Sequence, residues 1–359
     1  MTTLTTFLKS YSDSSFTNPH QVALPDSPAD CRGDFTHMGA KYWGFESKRH
    51  IATHINDARD GFRFNAEGHH WLKLGLKYRS KVSAINVSTQ WFTGNQVPVI
   101  SVELLDRKHG ETVTVLKKAQ LAPDADHQFD IDPVWATECK ILCYHEGGIA
   151  RVNLIGEQGD PLYQRTNLLE GTEISHISNE HYGRPADAVA GNRDQDHMFG
   201  WESARTGFGE NAMFKLRQSA EVETIIVDTY LHRLNPPLSC HVFGANFSAA
   251  EIKKIDSLPF ATLPAWKLVL PDQREIIPEN FKTYMAEQKY LALGYSEFEI
   301  KLHQPTPDVW KPLIDFGELF PDTWHEFNDL NKIGPVNAIY YMHYPHGGIH
   351  GLKVFGRKD

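Results

Sequence analysis

The chain repeats its own sequence once, and this repeat constrains its fold more than any other feature does. Four short segments of the first half return in the same order in the second half. They are WGFESKR (43–49) and FGWESAR (199–205), INVSTQWFTGN (85–95) and IIVDTYLHRLN (225–235), LAPDADHQF (121–129) and LFPDTWHEF (319–327), and CYHEGGIARVNLIG (143–156) and HYPHGGIHGLKVFG (343–356). Four matches in one order predict two copies of a single structural unit.

The two copies differ in length at one place. The stretch from Asn235 to Pro321 is about 58 residues longer than the corresponding stretch from Asn95 to Pro123. We place the extra residues at about 247–306 and expect PENFKTYMAEQKYLALGY (278–295) within them to be helical, since it starts with a proline and has apolar residues at helical spacing. The predicted domains are therefore residues 1–165 and 166–359, with a polar, turn-rich linker at 156–173.

Between the repeated segments the sequence has the pattern of β-strands. Runs such as HHWLKLGLKY (69–78), VPVISVELL (97–105) and AIYYMHY (338–344) alternate or stay apolar for 5 to 10 residues, and Gly, Pro, Asn and Asp separate them. Many short strands that end on a Gly-Gly turn are typical of a jelly-roll β-sandwich. We therefore predict an all-β protein with two tandem sandwiches and a partly helical insertion in the second.

Composition excludes several functional classes. The net charge is −9 without a run of like charges, and an acidic surface repels nucleic acid. No apolar run approaches the roughly 18 residues of a membrane helix and the first residues do not resemble a secretion signal, so we expect a cytoplasmic protein without a membrane partner. The four cysteines lack paired spacing, which argues against disulfides and structural zinc, and Cys139 and Cys143 are expected to face a core.

The repeated motifs, together with ISHISNEHYGRPADAV (174–189), resemble those of the allantoicase family over nearly all of the chain except the insertion. The resemblance implies two galactose-binding-like jelly-roll domains that assemble into a homo-oligomer. It also implies a hydrolase of carbon–nitrogen bonds, and we expect this hydrolase to need no cofactor. Its small-molecule substrate would be allantoate, cleaved to ureidoglycolate and urea during purine breakdown.

Some polar positions depart from the family pattern. Trp43 and Phe199 stand where the family has an aspartate before Gly-Trp-Glu, and Ser88 replaces the aspartate of an Asp-Thr pair. Arg151 keeps the arginine that follows Gly-Gly-Ile, whereas the second copy has Gly351 there. These changes leave the fold prediction intact and put the substrate in question.

Cleavage of allantoate requires a cation for its carboxylate, amide-type partners for its ureido groups, an acid for the leaving urea and a base for the attacking water. The predicted catalytic residues are Glu46, Glu202 and His181. The predicted substrate-binding residues are Arg49, Arg151, Arg205, Asn95 and Asp228. The structural alternative is that each Glu and Arg form a plain surface ion pair at a turn.

Several histidines have structural interpretations. His127 and His325 recur after Pro-Asp in both copies, so we expect them to satisfy backbone groups near turns made by Asp124 and Asp322. Before His181, the segment Ser-Asn-Glu could instead begin a helix.

A metal site is not predicted. His343, His346 and His350 form HxxHxxxH, but the intervening Pro and Gly-Gly exclude a helix that would gather them on one face.

Three functions remain open from the sequence. The first is hydrolysis of allantoate, and the second is a family member recruited to another small molecule. The third is a ligand-binding module without catalysis, as jelly-roll sandwiches often are. Because the two Gly-Gly endings differ in their polar residues, with Glu146 and Arg151 against His346 and His350, we expect one working site per chain.

Overall fold

The structure is a computed structural model of the chain. It describes residues 2–13, 18–31, 33–36, 39–40, 44–163, 165–193, 200–205, 209–276 and 298–358. The chain divides into two compact units, Met1–Gln164 and Arg165–Asp359. No helix within the described ranges is long and apolar enough to cross a bilayer.

The first domain consists of antiparallel strands and one 3-10 helix, Pro19–Ala23. The strands are β1 (Thr2–Thr3), β2 (Thr6–Tyr11), β3 (Phe35–Thr36), β4 (Gly39–Ala40), β5 (Phe45–Glu46), β6 (Thr53–Ile55), β7 (Phe62–Phe64), β8 (His70–Ser88), β9 (Val99–Asp106), β10 (Glu111–Gln120), β11 (Asp126–Tyr144), β12 (Gly148–Ile149) and β13 (Arg151–Glu157). The main sheet has the order β1-β13-β8-β11-β9-β10, and β2 also pairs with β8.

Two 19-residue strands, β8 and β11, connect the layers of this sandwich. The first part of β8 pairs with the end of β11, and this end of β11 also pairs with β9. The second part of β8 lies between the start of β11 and β13 and pairs with both. Register shifts separate the two parts. The sequence predicts a strand at 69–78, followed by a second apolar run, KVSAINVSTQWF, at 81–92. In the structure one strand, β8, runs through most of both and changes neighbours.

Side chains along these strands point alternately to the two faces of the sheet, and those on the inner face form the hydrophobic core. The inward side chains of β8, β9 and β11 are fully buried, and they include Leu72, Leu74, Leu76, Ile100, Val102, Leu104, Cys139, Ile141 and Cys143. The prediction that Cys139 and Cys143 face one core is confirmed. Burial raises the pKa of the Cys139 thiol to about 12, so this thiol stays protonated and inert.

The second domain repeats this plan. Its elements are β14 (Glu173–Ser175), α1 (Pro185–Ala190), β15 (Trp201–Glu202), β16 (Glu210–Asp228), β17 (Ser239–Ala245), β18 (Ala265–Val269), β19 (Glu275–Ile276), β20 (Glu299–His303), β21 (Lys311–Glu318), β22 (Trp324–Phe327), β23 (Val336–Tyr344), β24 (Gly348–Ile349) and β25 (Gly351–Lys358), with 3-10 helices at Ile252–Ser257 and Phe260–Thr262. The sheet order is β14-β16-β23-β17-β21, and β22 and β25 pair with the second part of β16. The predicted all-β fold with two tandem jelly-roll sandwiches is confirmed.

The insertion packs on the sheet of the second domain. Its described part contains the two 3-10 helices and the three-stranded sheet β19-β18-β20. Ile255 and Leu263 join a buried cluster with Phe243, Tyr340 and Met342 on the face of β17 and β23 opposite the main core. Strand β17 is therefore buried on both faces. The predicted helix at 278–295 lies outside the described residues.

Candidate functional site

In each domain a glutamate and an asparagine meet beside the Gly-Gly turn. Asn95 Nδ2 donates a hydrogen bond of 2.8 Å to Glu46 Oε1, and Asn235 Nδ2 donates one of 2.7 Å to Glu202 Oε1. The main-chain oxygen of each asparagine accepts a hydrogen bond from the second glycine of the turn, at 2.7 and 2.9 Å. One asparagine thus fixes both the turn and the carboxyl group. We call each Glu–Asn pair with its turn a turn site.

The serine after each glutamate holds the same turn from the other side. The main-chain N–H of Ser47 donates to the oxygen of Gly147 at 3.1 Å, and Ser47 Oγ accepts from the N–H of Gly147 at 3.0 Å. Ser203 and Gly347 repeat both bonds at 3.1 Å. The Glu-Ser and Gly-Gly motifs recur together because they form one hydrogen-bonded unit in each copy.

A ring packs against the second glycine of each turn. A Cβ added to Gly148 would lie 2.0 Å from the ring of Phe92, and one added to Gly348 would lie 2.1 Å from the ring of His232. Only glycine fits under the ring at either place. In the second copy the ring is polar, because an imidazole replaces the phenyl group.

Burial shifts the pKa of one side chain in each turn site. Burial raises the pKa of the Glu46 carboxyl, against the hydrogen bond from Asn95 and the nearby charge of Arg49. In the second copy, burial lowers the pKa of His232, although the charge of Glu202 and the side chain of Asn235 oppose this shift. The first site therefore holds a carboxyl that retains its proton more readily than usual, and the second has a neutral imidazole beside its glutamate.

The segment that contains His181 lies beside the second turn site. The N–H of Tyr182 donates to the main-chain oxygen of Glu202 at 3.0 Å, and Asn179 Oδ1 accepts from the N–H groups of His181 and Ala204. His181 is exposed and its ring lies 4.2 Å from the ring of Tyr182. The helix start considered at Ser-Asn-Glu is wrong, because α1 begins only at Pro185 and Asn179 bridges two loops instead.

The predicted arginines occupy different surroundings. Arg49 and Arg205 are exposed. The pKa of His346, in the second Gly-Gly ending, is lowered mainly by burial and further by the nearby charge of Arg205. Arg151 is buried, and its Nε donates to the main-chain oxygen of Asp26 at 2.9 Å. Burial lowers its pKa. Arg151 lines a cavity of about 410 Å³ that neither Glu46 nor Asn95 lines.

Asp228 forms a buried ion pair that the sequence analysis missed. Arg193 Nε donates to Asp228 Oδ2 at 2.9 Å and Arg193 Nη2 to Oδ1 at 2.8 Å. Although burial disfavours the charge of Arg193, the carboxylate of Asp228 keeps its pKa above the usual value. One signal for this pair was present in the sequence, since Gly351 stands where the first copy has Arg151. A buried aspartate without that arginine needs a cation from elsewhere in the chain.

The repeated histidines and aspartates are structural, as predicted. In the first copy, His127 Nε2 accepts from the N–H of Ala122 at 2.9 Å and Nδ1 donates to the oxygen of Val87 at 3.2 Å. His325 makes the same two bonds at 2.8 and 2.9 Å. Asp124 and Asp322 both have a φ of 47°, and each carboxylate accepts a backbone N–H at 2.8 Å. Both ring nitrogens of each histidine are thus occupied by backbone groups.

His343 lies in the core of the second domain, where the first copy has Cys143. Its ring packs 5.1 Å from Trp201 and 5.7 Å from Tyr341, and neither ring nitrogen has a hydrogen-bond partner among the described residues. Burial lowers its pKa from 6.5 to about 3, with the nearby His346 and His232 adding to the shift. The folded protein therefore keeps this imidazole neutral at pH values where the unfolded chain protonates it.

We expect His343 to make the protein sensitive to acid. Because the unfolded state binds this proton below about pH 6.5 and the folded state only near pH 3, His343 lowers the free energy of unfolding by about 2 kcal/mol between pH 7.5 and 5. In His343→Leu that part of the loss should disappear, measured by urea unfolding at both pH values. The exposed control His109→Leu should keep the wild-type dependence. Equal acid sensitivity in His343→Leu and wild type would contradict this assignment.

Within the described ranges, no three or more His, Cys, Asp or Glu side chains are grouped so that they could hold a metal ion. Trp43 and Phe199, the aromatic residues at the altered family positions, lie outside those ranges.

The fold and the paired turn sites define a tandem-repeat β-sandwich protein with one Glu–Asn site in each repeat. A family model described as the allantoicase repeat matches this chain twice, over residues 3–159 and 166–359. The chain belongs to the allantoicase family.

Similar proteins carry the same family name. The probable allantoicase of Pseudomonas savastanoi pv. phaseolicola is 24% identical and the alignment covers 99% of this chain and 94% of the relative. The allantoicase of Saccharomyces cerevisiae is 27% identical over 66% of this chain and 72% of its own length. A crystal structure of that yeast allantoicase aligns with 98% of this chain and 90% of its own, at 20% identity and a TM-score of 0.34.

Proposed function

We propose that this protein hydrolyses allantoate to ureidoglycolate and urea. The observation that carries the proposal is the match of both halves to the allantoicase repeat, since a chain that retains both copies retains the framework of the family. The relatives named as allantoicases or probable allantoicases support it over nearly the full length of the chain. We further propose that the enzyme works in the cytoplasm as a homo-oligomer.

The reaction needs no covalent nucleophile. The carbon of allantoate bears two ureido groups, so the nitrogen lone pair of one can help to expel the other as urea. An acid that protonates the leaving nitrogen and a base that activates water then suffice, each contributing roughly 10² to 10⁴ in rate. We assign the acid to a turn-site glutamate.

In the first domain, Glu46 is the group suited to donate a proton. Its raised pKa results from burial, and Asn95 fixes the orientation of its carboxyl group. Arg49 lies near enough to influence that carboxyl and is exposed, so its guanidinium is accessible to a carboxylate from solution.

In the second domain, Glu202 has the same asparagine contact and a different neighbour. His232 is buried, its Nε2 has no hydrogen-bond partner among the described residues, and its lowered pKa keeps it neutral. A neutral imidazole can accept a proton, and His232 lies close enough to Glu202 to feel its charge, so the two groups are suited to exchange a proton with each other. His181 precedes Tyr182, whose N–H donates to the main-chain oxygen of Glu202, and Arg205 follows Glu202 by three residues on the same segment.

The direct test is release of urea from allantoate by the purified full-length protein. We expect urea and ureidoglycolate in equal amounts, with the same rate in the presence and absence of a chelator. Incubation of allantoate with buffer alone provides the background rate. If the folded protein releases no urea above that background between pH 6 and 9, the proposed function is wrong.

A further inference from the structure

The cavity that contains Arg151 lies on the outer face of the first sandwich. Its floor is formed by neighbouring strands β13, β8 and β11, whose intervening residues Val152 and Val87 point into the core. Its roof is the segment 25–28. The roof is fastened to the floor, because Arg151 donates to the oxygen of Asp26 and Asn153 Nδ2 donates to the oxygen of Leu24, both at 2.9 Å.

The floor presents polar side chains in two rows across the three strands. One row is Arg151, Ser88 and Asp126, which are direct partners in the strand register, and the other is Asn153, Asn86 and Gln128. Arg151 and Ser88 are buried beneath the roof, Asn86 and Asn153 are half-buried, and Asp126 and Gln128 are exposed at the rim. At about 410 Å³ the cavity has the size of a small-molecule site.

The chemistry of the lining indicates what fits. Asn86 Oδ1 is buried and has no hydrogen-bond partner among the described residues, and an unpaired buried acceptor is costly. The carboxylates of Asp26 and Asp126 add further acceptors, whereas the guanidinium of Arg151 provides a cationic donor. A matching ligand therefore presents several N–H donors together with a carbonyl or carboxylate oxygen. A ureido compound has this combination.

The equivalent place in the second domain is filled by the protein itself. Arg193 lies there, paired with Asp228, with its guanidinium carbon 5.1 Å from the ring centre of Tyr230 and 5.5 Å from that of Trp324. Ile226 stands where the first copy has Asn86. Of the other floor positions, Trp324 stands where the first copy has Asp126, and Lys353, which stands where it has Asn153, donates to the main-chain oxygen of Gly191 at 2.7 Å. The two copies have the same framework, and only the first leaves a polar acceptor there without a partner in the described residues.

We propose that the cavity formed by Arg151, Asn86, Ser88, Asp126, Gln128 and Asn153 is a binding site for a small ureido compound, one per chain, in the first domain. The ureido N–H groups bind Asn86 Oδ1 and the rim carboxylates, and a ligand oxygen lies toward Arg151. The proposal rests on the proposed function only in that both involve ureido compounds.

The test is isothermal titration calorimetry of the full-length protein with N-carbamoylglycine, which has one ureido group and so cannot undergo the assisted loss of urea. We expect one binding site per chain. N-acetylglycine, which lacks the terminal NH₂, should bind at least tenfold more weakly. In Asn86→Leu this preference should fall to less than twofold, and in the matched second-domain variant Ile226→Leu it should persist.

Each other outcome is also informative. No binding, an unchanged preference in Asn86→Leu, or tighter binding of galactose than of N-carbamoylglycine would overturn the proposal. If Asn86→Leu does not fold, judged by its thermal unfolding, Gln128→Leu replaces it and Glu326→Leu becomes its match. Because the probe is not turned over, this result is independent of whether allantoate is hydrolysed.

Discussion

Replacing both turn glutamates, Glu46→Gln together with Glu202→Gln, should lower the turnover number for urea release from allantoate by at least about a hundredfold. Glutamine keeps the size of the side chain and an oxygen that accepts from Asn95 or Asn235, but it cannot transfer a proton. The fold should therefore survive, and the defect should lie in kcat rather than in KM. Initial rates at saturating allantoate provide the measurement.

The single variants identify the working domain. If one site carries the reaction, one of Glu46→Gln and Glu202→Gln reproduces the full loss and the other leaves turnover unchanged. Glu111→Gln, at the exposed start of β10, serves as the control and should behave as wild type. Wild-type turnover in the double variant would remove both glutamates from the mechanism.

The repeat in the sequence marked the residues that recur at the turn sites and at the structural histidines, but the contact between each glutamate and its asparagine was not predicted. Glu46 with Asn95 and Glu202 with Asn235 are equivalent pairs, and so are the backbone contacts of His127 and His325. Where two diverged copies keep the same polar residue at the same place, the residue satisfies a hydrogen bond that the framework requires. Duplication therefore marked the residues of the turn sites and the structural histidines.

Features unique to one copy could not be predicted in this way. Arg193 lies 35 residues before Asp228 on a loop that matches no landmark of the first copy. Gly351 could therefore indicate that Asp228 needs another cation, but not that Arg193 provides it. The cavity at Arg151 likewise depends on the segment 25–28, which is held by main-chain oxygens rather than by a motif. Contacts to backbone atoms leave no residue-type signature.

The long strands were missed for a different reason. The residues Arg79, Ser80 and Lys81 resemble a polar break between two strands. In the structure, β8 continues through them while it passes from one layer of the sandwich to the other, where its neighbours and register change. At this crossing Arg79 forms an ion pair with Asp106, with 2.6 Å between Nη2 and Oδ2. Tertiary position therefore overrides the local pattern.

Asp228→Ser, which introduces the residue of the first copy, should destabilise the protein by roughly 3 to 5 kcal/mol. The substitution leaves the guanidinium of Arg193 buried without its carboxylate, and the side chains of the pair are only 12% and 3% exposed. Urea unfolding monitored by circular dichroism gives the change in free energy. The matched control is Glu221→Ser, which breaks the exposed pair with Arg357 and should cost less than about 1 kcal/mol.

The double variant Asp228→Ser with Arg193→Met separates stability from substrate binding. Met retains an unbranched side chain between Tyr230 and Trp324 and buries no charge, so the double variant should regain most of the stability that either single variant loses. If Asp228 serves only to neutralise Arg193, the double variant also regains urea release. If Asp228 binds substrate, as the sequence suggested, stability returns while KM for allantoate stays raised. A cost below about 1 kcal/mol for Asp228→Ser alone would contradict a stabilising role for this buried pair.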